Sequence, residues 1–457
     1  MFQKPFLWLF TAAILSGSAA FAEESTLPAQ TAQDNAAEAA EPQGTVAAPP
    51  ASLPAGGNVI SLAVALEKAL ANSPQLKSAG SAMLASKGER RQAGLLPNPE
   101  IGIEAENLAG QGPYKGTDSA ELTYGVSQLI EIGGKRSARQ SVAGKGYEIA
   151  SFDYKAARLD LIRNVTAAYA DAVAAQEEVK LAEDQQKLAG DVLQTVSKRV
   201  AAAAEPLIQK SKAEVALATS EIAFNKATRE LEIAKKKLAS LWGQDGDGFI
   251  LDASDFFTIQ PPVAPADTAK QLAATPDIAR LDAELWRAKA NLELEQANAI
   301  PDPTISVGVR DFRETGDQAF VVGLSLPIPV FNLNQGNIAK ARHEVSKSEA
   351  DKQVSALELS NELIRAAQEL QTAYDEAGSL KNTILPAAEK AFSLSREGYQ
   401  AGKFPYLEVL YAQRTLFEAR SQYNASLKNY HTHRAEVERL TAVHSDKIQS
   451  DEDPENE

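Results

Sequence analysis

Four glutamates carry the clearest chemical signal in this chain. Glu100, Glu104 and Glu106 alternate with Ile101, Ile103 and Ala105, and Glu121 opens a second alternating stretch with Leu122, Tyr124 and Val126. Side chains two apart on a strand share a face, so these carboxylates form one acidic row that would concentrate cations beside it. The other reading of the same row is an ordinary wetted strand face. His431 and His433 invite a metal reading, but two residues apart on a helix they project roughly 200° from each other, unlike i,i+4 chelating pairs. Met83 is the only methionine beyond Met1, so no thioether ladder for soft metals exists. The chain has no phosphate loop, nucleophile elbow or metalloprotease helix and no constellation of acid, base and nucleophile, so no enzyme and no cofactor is expected.

The elements that must hold the acidic row are short and few. Two further alternating stretches, Thr304 to Arg310 and Ala319 to Leu326, make four candidate strands of similar length. Each approaches the roughly ten residues with which a tilted strand crosses an outer membrane. A half-buried sheet in a soluble protein would give the same alternation.

Composition and the two ends narrow the choice. Lys4, the apolar run Phe6 to Leu15 and the close Ala20-Phe21-Ala22 have the order of a secretory signal over residues 1–22. That run is too short to span a bilayer, and no later segment is apolar enough to do so as a helix, so any crossing is made by strands. Residues 23–58 are poor in large apolar side chains and read as a disordered linker. Residues 445–457 are an acidic tail. Cysteine is absent, which excludes disulfides, thiolate metal sites and a lipidated N-terminal cysteine, and a formal charge of −15 argues against a nucleic-acid partner.

The second half of the chain echoes the first at an offset of about two hundred residues. LLPNPEIGIEA is answered by AIPDPTISVGV, and GVSQLIEIGGKR by GLSLPIPVFNLN. The first repeat is placed at 59–244, with strands at about 99–108 and 119–130 and a long helical hairpin at about 135–243. After a connector at 245–267, the second repeat spans 268–444, with strands at about 303–312 and 317–329 and a helical hairpin at about 335–443. Seventy helical residues would reach about 100 Å. Leu159, Ile162, Val165, Tyr169 and Val173 follow three-to-four spacing, as do Leu359, Leu363, Ala366 and Leu370, so the helices pack through narrow seams. Four strands cannot close a membrane barrel, so several chains must share one.

The motifs PNPEIGIEAEN, YGVSQLIEIGGKRSAR, LSLPIPVFNLNQGNIAKA and REGYQAGKFPYLEVLYAQRTLFEARSQY resemble the TolC-type outer-membrane efflux proteins, and more narrowly the CzcC-like branch associated with heavy-metal resistance. The likeness runs from about Ser61 to Ala442. It implies a TolC-like trimeric α/β-barrel, mainly α with a transmembrane β-barrel part, in which each chain gives four strands and long helical hairpins. It also implies an outer-membrane location with the helical barrel in the periplasm, and docking to a periplasmic adaptor and an inner-membrane proton-driven pump. The resemblance puts docking and gating at the helical tips, here Gly398, Gly402, Lys403, Pro405 and Leu407 in the second half and Glu205 and Pro206 in the first. The first tip lacks the glycine that matches Gly402. The expected function is the outer-membrane channel of a proton-driven system exporting divalent metal cations. A duct for drugs or organic solutes, or a periplasmic coiled-coil scaffold or adaptor, are the other readings.

Overall fold

A computed structural model describes residues 58–246, 248–262 and 271–444. The signal segment, residues 23–57 of the linker, and the acidic tail lie outside these residues. Strand β1 (Asn58–Ile60) leads into α1 (Leu62–Asn72) and α2 (Pro74–Ala93). Ser61 and Ser73 start these helices, each hydroxyl accepting the N–H three residues on, and Pro74 adds a preset φ at the first turn. The chain then crosses into β2 (Glu100–Glu106) and β3 (Glu121–Leu129) and returns through α3 (Lys135–Ala201) and α4 (Leu207–Ser240). Strand β4 (Phe249–Leu251) and helix α5 (Pro276–Asn298) precede the second hairpin, β5 (Thr304–Phe312) and β6 (Asp317–Ser325). Helix α6 (Gln335–Ser379) continues through a π turn at Leu380–Ile384 into α7 (Leu385–Gln400), and α8 (Tyr406–Leu440) runs back.

The π turn sits directly before Pro386, whose missing N–H would break an α-helical ladder. Helix is therefore carried past Pro386. Conversely, β6 stops at Ser325 rather than at 329, because Pro327 and Pro329 donate no ladder hydrogen bond. Within the connector, β4 pairs in parallel with β1, at whose start the linker was expected to end.

The four main strands form one antiparallel sheet in the order β2-β3-β5-β6, which joins the two halves through β3 and β5. The register lines up Ile101, Val126, Val307 and Val322 in one row and Ile103, Tyr124, Val309 and Phe320 in the next. Nearly all of these are exposed, Ile101 at 83% and Phe320 at 90%. A row-ordered apolar surface of this kind is foreign to a wetted protein face and suits lipid. No helix among the described residues is long and apolar enough to cross a membrane.

Below the sheet, the largest buried cluster gathers Val165, Tyr169 and Val173 of α3, Leu238 of α4, Leu380 of the π turn and Leu427 of α8 around β1 and β4. Side chains lash the strap 249–262 onto the helices there. Tyr169 donates to the carbonyl of Asp252 (2.7 Å), the Gln176 amide pairs with both backbone groups of Leu251, and Tyr430 bonds both backbone groups of Gln260. Arg439 joins three helices, 2.7 Å from Asp160 of α3 and 2.5 Å from Asp277 of α5.

Candidate functional site

The opposite face of the sheet is polar. Its rows are Glu100, Ser127, Ser306 and Gly323; then Gly102, Gly125, Gly308 and Val321; then Glu104, Thr123, Arg310 and Ala319; and last Glu106, Glu121, Phe312 and Asp317. The alternation thus puts all four sequence-predicted glutamates on one side. They are not equivalent. Arg310 donates from Nε to the Thr123 hydroxyl (2.9 Å) and from Nη1 to Glu121 (2.9 Å), and its Nη2 lies 2.9 Å from Glu106. Asn107 donates to the second oxygen of Glu121 (2.9 Å). Glu100 and Glu104 are exposed and make no ion pair among the described residues.

Where sheet meets helices, the residues of the quoted motifs close on one another. Asp302 accepts from Lys135 Nζ (2.6 Å) and from the Ile132 N–H (2.9 Å). Arg136 and Arg139 donate to the carbonyls of Gly94, Ala93 and Leu95, capping the end of α2 with cations as its orphan carbonyls require. The two long helices begin alike, each after a residue in the left-handed region, Gly134 (φ 77) and Asn334 (φ 57).

At the far end lie the two tips, and their turns share one hydrogen-bond plan. Ala204 N–H donates to Arg199 O as Lys403 N–H does to Gly398 O, and the left-handed position is Ala203 (φ 55) in one and Gly402 (φ 71) in the other. An L side chain pays for that conformation, so Ala203→Gly is expected to raise stability by about 1 kcal/mol. A shift of the thermal midpoint by circular dichroism checks it. Of the expected tip residues, Gly402, Lys403, Pro405, Leu407 and Pro206 are exposed. Gly398 and Glu205 are not surface elements: a Cβ on Gly398 would fall 2.1 Å from the Phe404 ring, and Glu205 is largely covered, 3.6 Å from Arg199. Arg199 also ties the tips together, donating to the Tyr399 carbonyl (3.1 Å) with its guanidinium 4.6 Å over that ring. Tyr399 and Tyr406 pack with Val196 and Val409; burial, then the Glu205 carboxylate, raises the Tyr399 phenol, and burial pushes Tyr406 up to about 12.

The two histidines of α8 serve different neighbours. His431 stacks on Phe256 and its Nε2 lies 2.9 Å from the Phe256 carbonyl, so that nitrogen donates; His433 stands 3.3 Å from Glu369. Burial holds the His431 imidazole below its ordinary value, with Arg434 acting in the same direction. The unfolded chain therefore binds the proton first, and stability is full above about pH 6.5 and falls as pH drops toward the folded value. His431→Gln is expected to flatten that slope in melts recorded between about pH 7 and pH 5.

Arg310, Arg199 and Arg439 were not singled out from sequence, because a lone arginine on an alternating or heptad pattern looks like any solvated residue. Only the register reveals their partners.

A sheet with one lipid-like face and one polar face, continued by paired helical hairpins, defines a membrane-spanning conduit subunit. The family model for outer membrane efflux protein matches residues 65–244 and 269–443, and the chain belongs to that family. It is similar to the cobalt-zinc-cadmium resistance protein CzcC of Cupriavidus metallidurans, 33% identical over 364 residues, covering 80% of this chain and 85% of that protein. The nickel-cobalt-cadmium resistance protein NccC of Alcaligenes xylosoxydans xylosoxydans is 28% identical over 78% of this chain and 80% of its own length. Among solved structures, the outer membrane protein VceC of Vibrio cholerae superposes with a TM-score of 0.70 at 20% identity, covering 83% of this chain and 95% of that one. The fold is the TolC-like α/β barrel, and the protein is an outer-membrane efflux channel whose helices extend into the periplasm. The family consists of channels rather than enzymes.

Proposed function

We propose that this chain is the outer-membrane duct of a tripartite, proton-driven system exporting divalent heavy-metal cations of the cobalt, zinc and cadmium type. The likeness to the cobalt-zinc-cadmium resistance protein over most of both chains carries this reading. The polar face of the sheet lines the lumen, and Glu100 and Glu104 make that lining attractive to cations.

The working unit is a homotrimer. Strands β2 and β6 leave two open edges, which lipid does not tolerate. Two chains would close eight strands, whose interior side chains fill, whereas three give twelve and leave a bore. Exposed apolar residues at heptad spacing, Ile208, Val215 and Ile222 on α4 and Leu357 and Ile364 on α6, support packing against the next chain. The exposed tip residues Pro206, Lys403, Pro405 and Leu407 dock a periplasmic adaptor, which links the duct to the inner-membrane pump that supplies the energy.

Deleting the protein from its host and recording growth and cell metal content over graded zinc, cobalt, cadmium, copper and drug concentrations tests the reading. Sensitivity and accumulation confined to some divalent metals are expected. Sensitivity to drugs alone would remove the metal assignment and keep the duct.

A further inference from the structure

We infer that Arg310 tempers the negative charge at the outer end of the lumen, so that cations pass the last rows of glutamate without being held there. The inference rests on the reading that the polar face lines the lumen. Strand β2 leaves the helices at Glu100 and reaches Glu106 at its far end, β3 enters at Glu121 and β6 at Asp317, so Glu106, Glu121 and Asp317 form the outermost carboxylate row. Arg310 stands one row in on β5, and its guanidinium crosses β3 to reach both carboxylates while its Nε bonds Thr123 directly opposite. With Asn107 on the other oxygen of Glu121, both oxygens of that carboxylate have a protein donor. With Asp317 in the same row, the guanidinium leaves two net negative charges per chain at this level instead of three. Repeated around a closed barrel, an untempered row would coordinate a divalent cation at the exit, whereas conduction needs sites weak enough to release it. Glu100 and Glu104, deeper and unpaired, remain the accessible carboxylates.

The test reconstitutes the purified full-length protein in planar bilayers, measures reversal potentials in a potassium chloride gradient, and then titrates zinc chloride. Arg310→Gln is expected to raise the cation-to-anion permeability ratio and to bring zinc block to lower concentration, because the outer row gains one net negative charge per chain. Arg310→Lys should stay near the parent ratio, since it keeps the charge and loses only the fork. The pair Glu106→Gln with Glu121→Gln should move the ratio the opposite way, and it reads the same contact if Arg310→Gln yields no channels. An unchanged ratio in Arg310→Gln, or in that pair, while Glu104→Gln lowers it makes Arg310 a strut between strands and overturns the inference with the lumen reading intact. Unchanged ratios in all of them, Glu104→Gln included, would remove the polar face from the conduction path and take both readings down together.

Discussion

Gly308→Ala is expected to leave little assembled protein in the outer-membrane fraction, while Gly102→Ala in the same row is tolerated. A Cβ on Gly308 would lie 2.6 Å from the Tyr124 carbonyl oxygen and 3.1 Å from the Gly125 Cα, both backbone atoms that cannot rotate away. A Cβ on Gly102 meets nothing within 4 Å. The row Gly102, Gly125 and Gly308 lies on the polar side, so missing side chains let β3 and β5 close up on the face that must be concave. Forcing a methyl group in must part the two central strands, at or above the upper end of the usual overpacking cost of about 1–3 kcal/mol. Membrane fractionation with immunodetection of the two variants at matched expression decides it; equal amounts would refute the close-approach argument.

Arg439→Leu is the second large effect, an expected loss of about 3–5 kcal/mol. Arg439 is largely covered and bridges Asp160 and a bidentate Asp277, so its removal leaves two carboxylates facing each other between three helices. Burial alone would lower a guanidinium, yet Asp277 and Asp160 hold Arg439 firmly charged, with its affinity for the proton raised. The cost therefore lies in the orphaned carboxylates rather than in lost packing, and Arg439→Leu combined with Asp160→Asn and Asp277→Asn should regain much of it. Thermal melts of the purified protein distinguish the single from the triple variant.

The strands and the long helices were legible because their periods are strong: two-residue alternation in Ile101, Ile103 and Ala105 and three-to-four spacing in Leu159, Ile162 and Val165 both translate directly into faces. Helices α1, α2 and α5 carry good helix starts in Ser61, Ser73-Pro74 and Thr275-Pro276, but none is part of a periodic run as long as those of α3 and α6. The strap carried no signal at all. Three-residue strands such as β1 and β4 have no period to read, and what fixes them is distant, in Tyr169, Gln176, Tyr430 and His431. For the site, alternation gave the shared face of Glu100, Glu104, Glu106 and Glu121. The division of those four into clamped and free pairs depends on Arg310, almost two hundred residues away, and so on pairing register rather than on local spacing.

The strap and the large cluster beneath it turn the lower part of the chain into a lever. Below Leu380, α7 and the facing part of α8 hang from that fixed point, with roughly twenty residues or about 30 Å of helix before the turn at Gly402. Over such an arm a tilt of about 10° at the fulcrum would carry the tip about 5 Å.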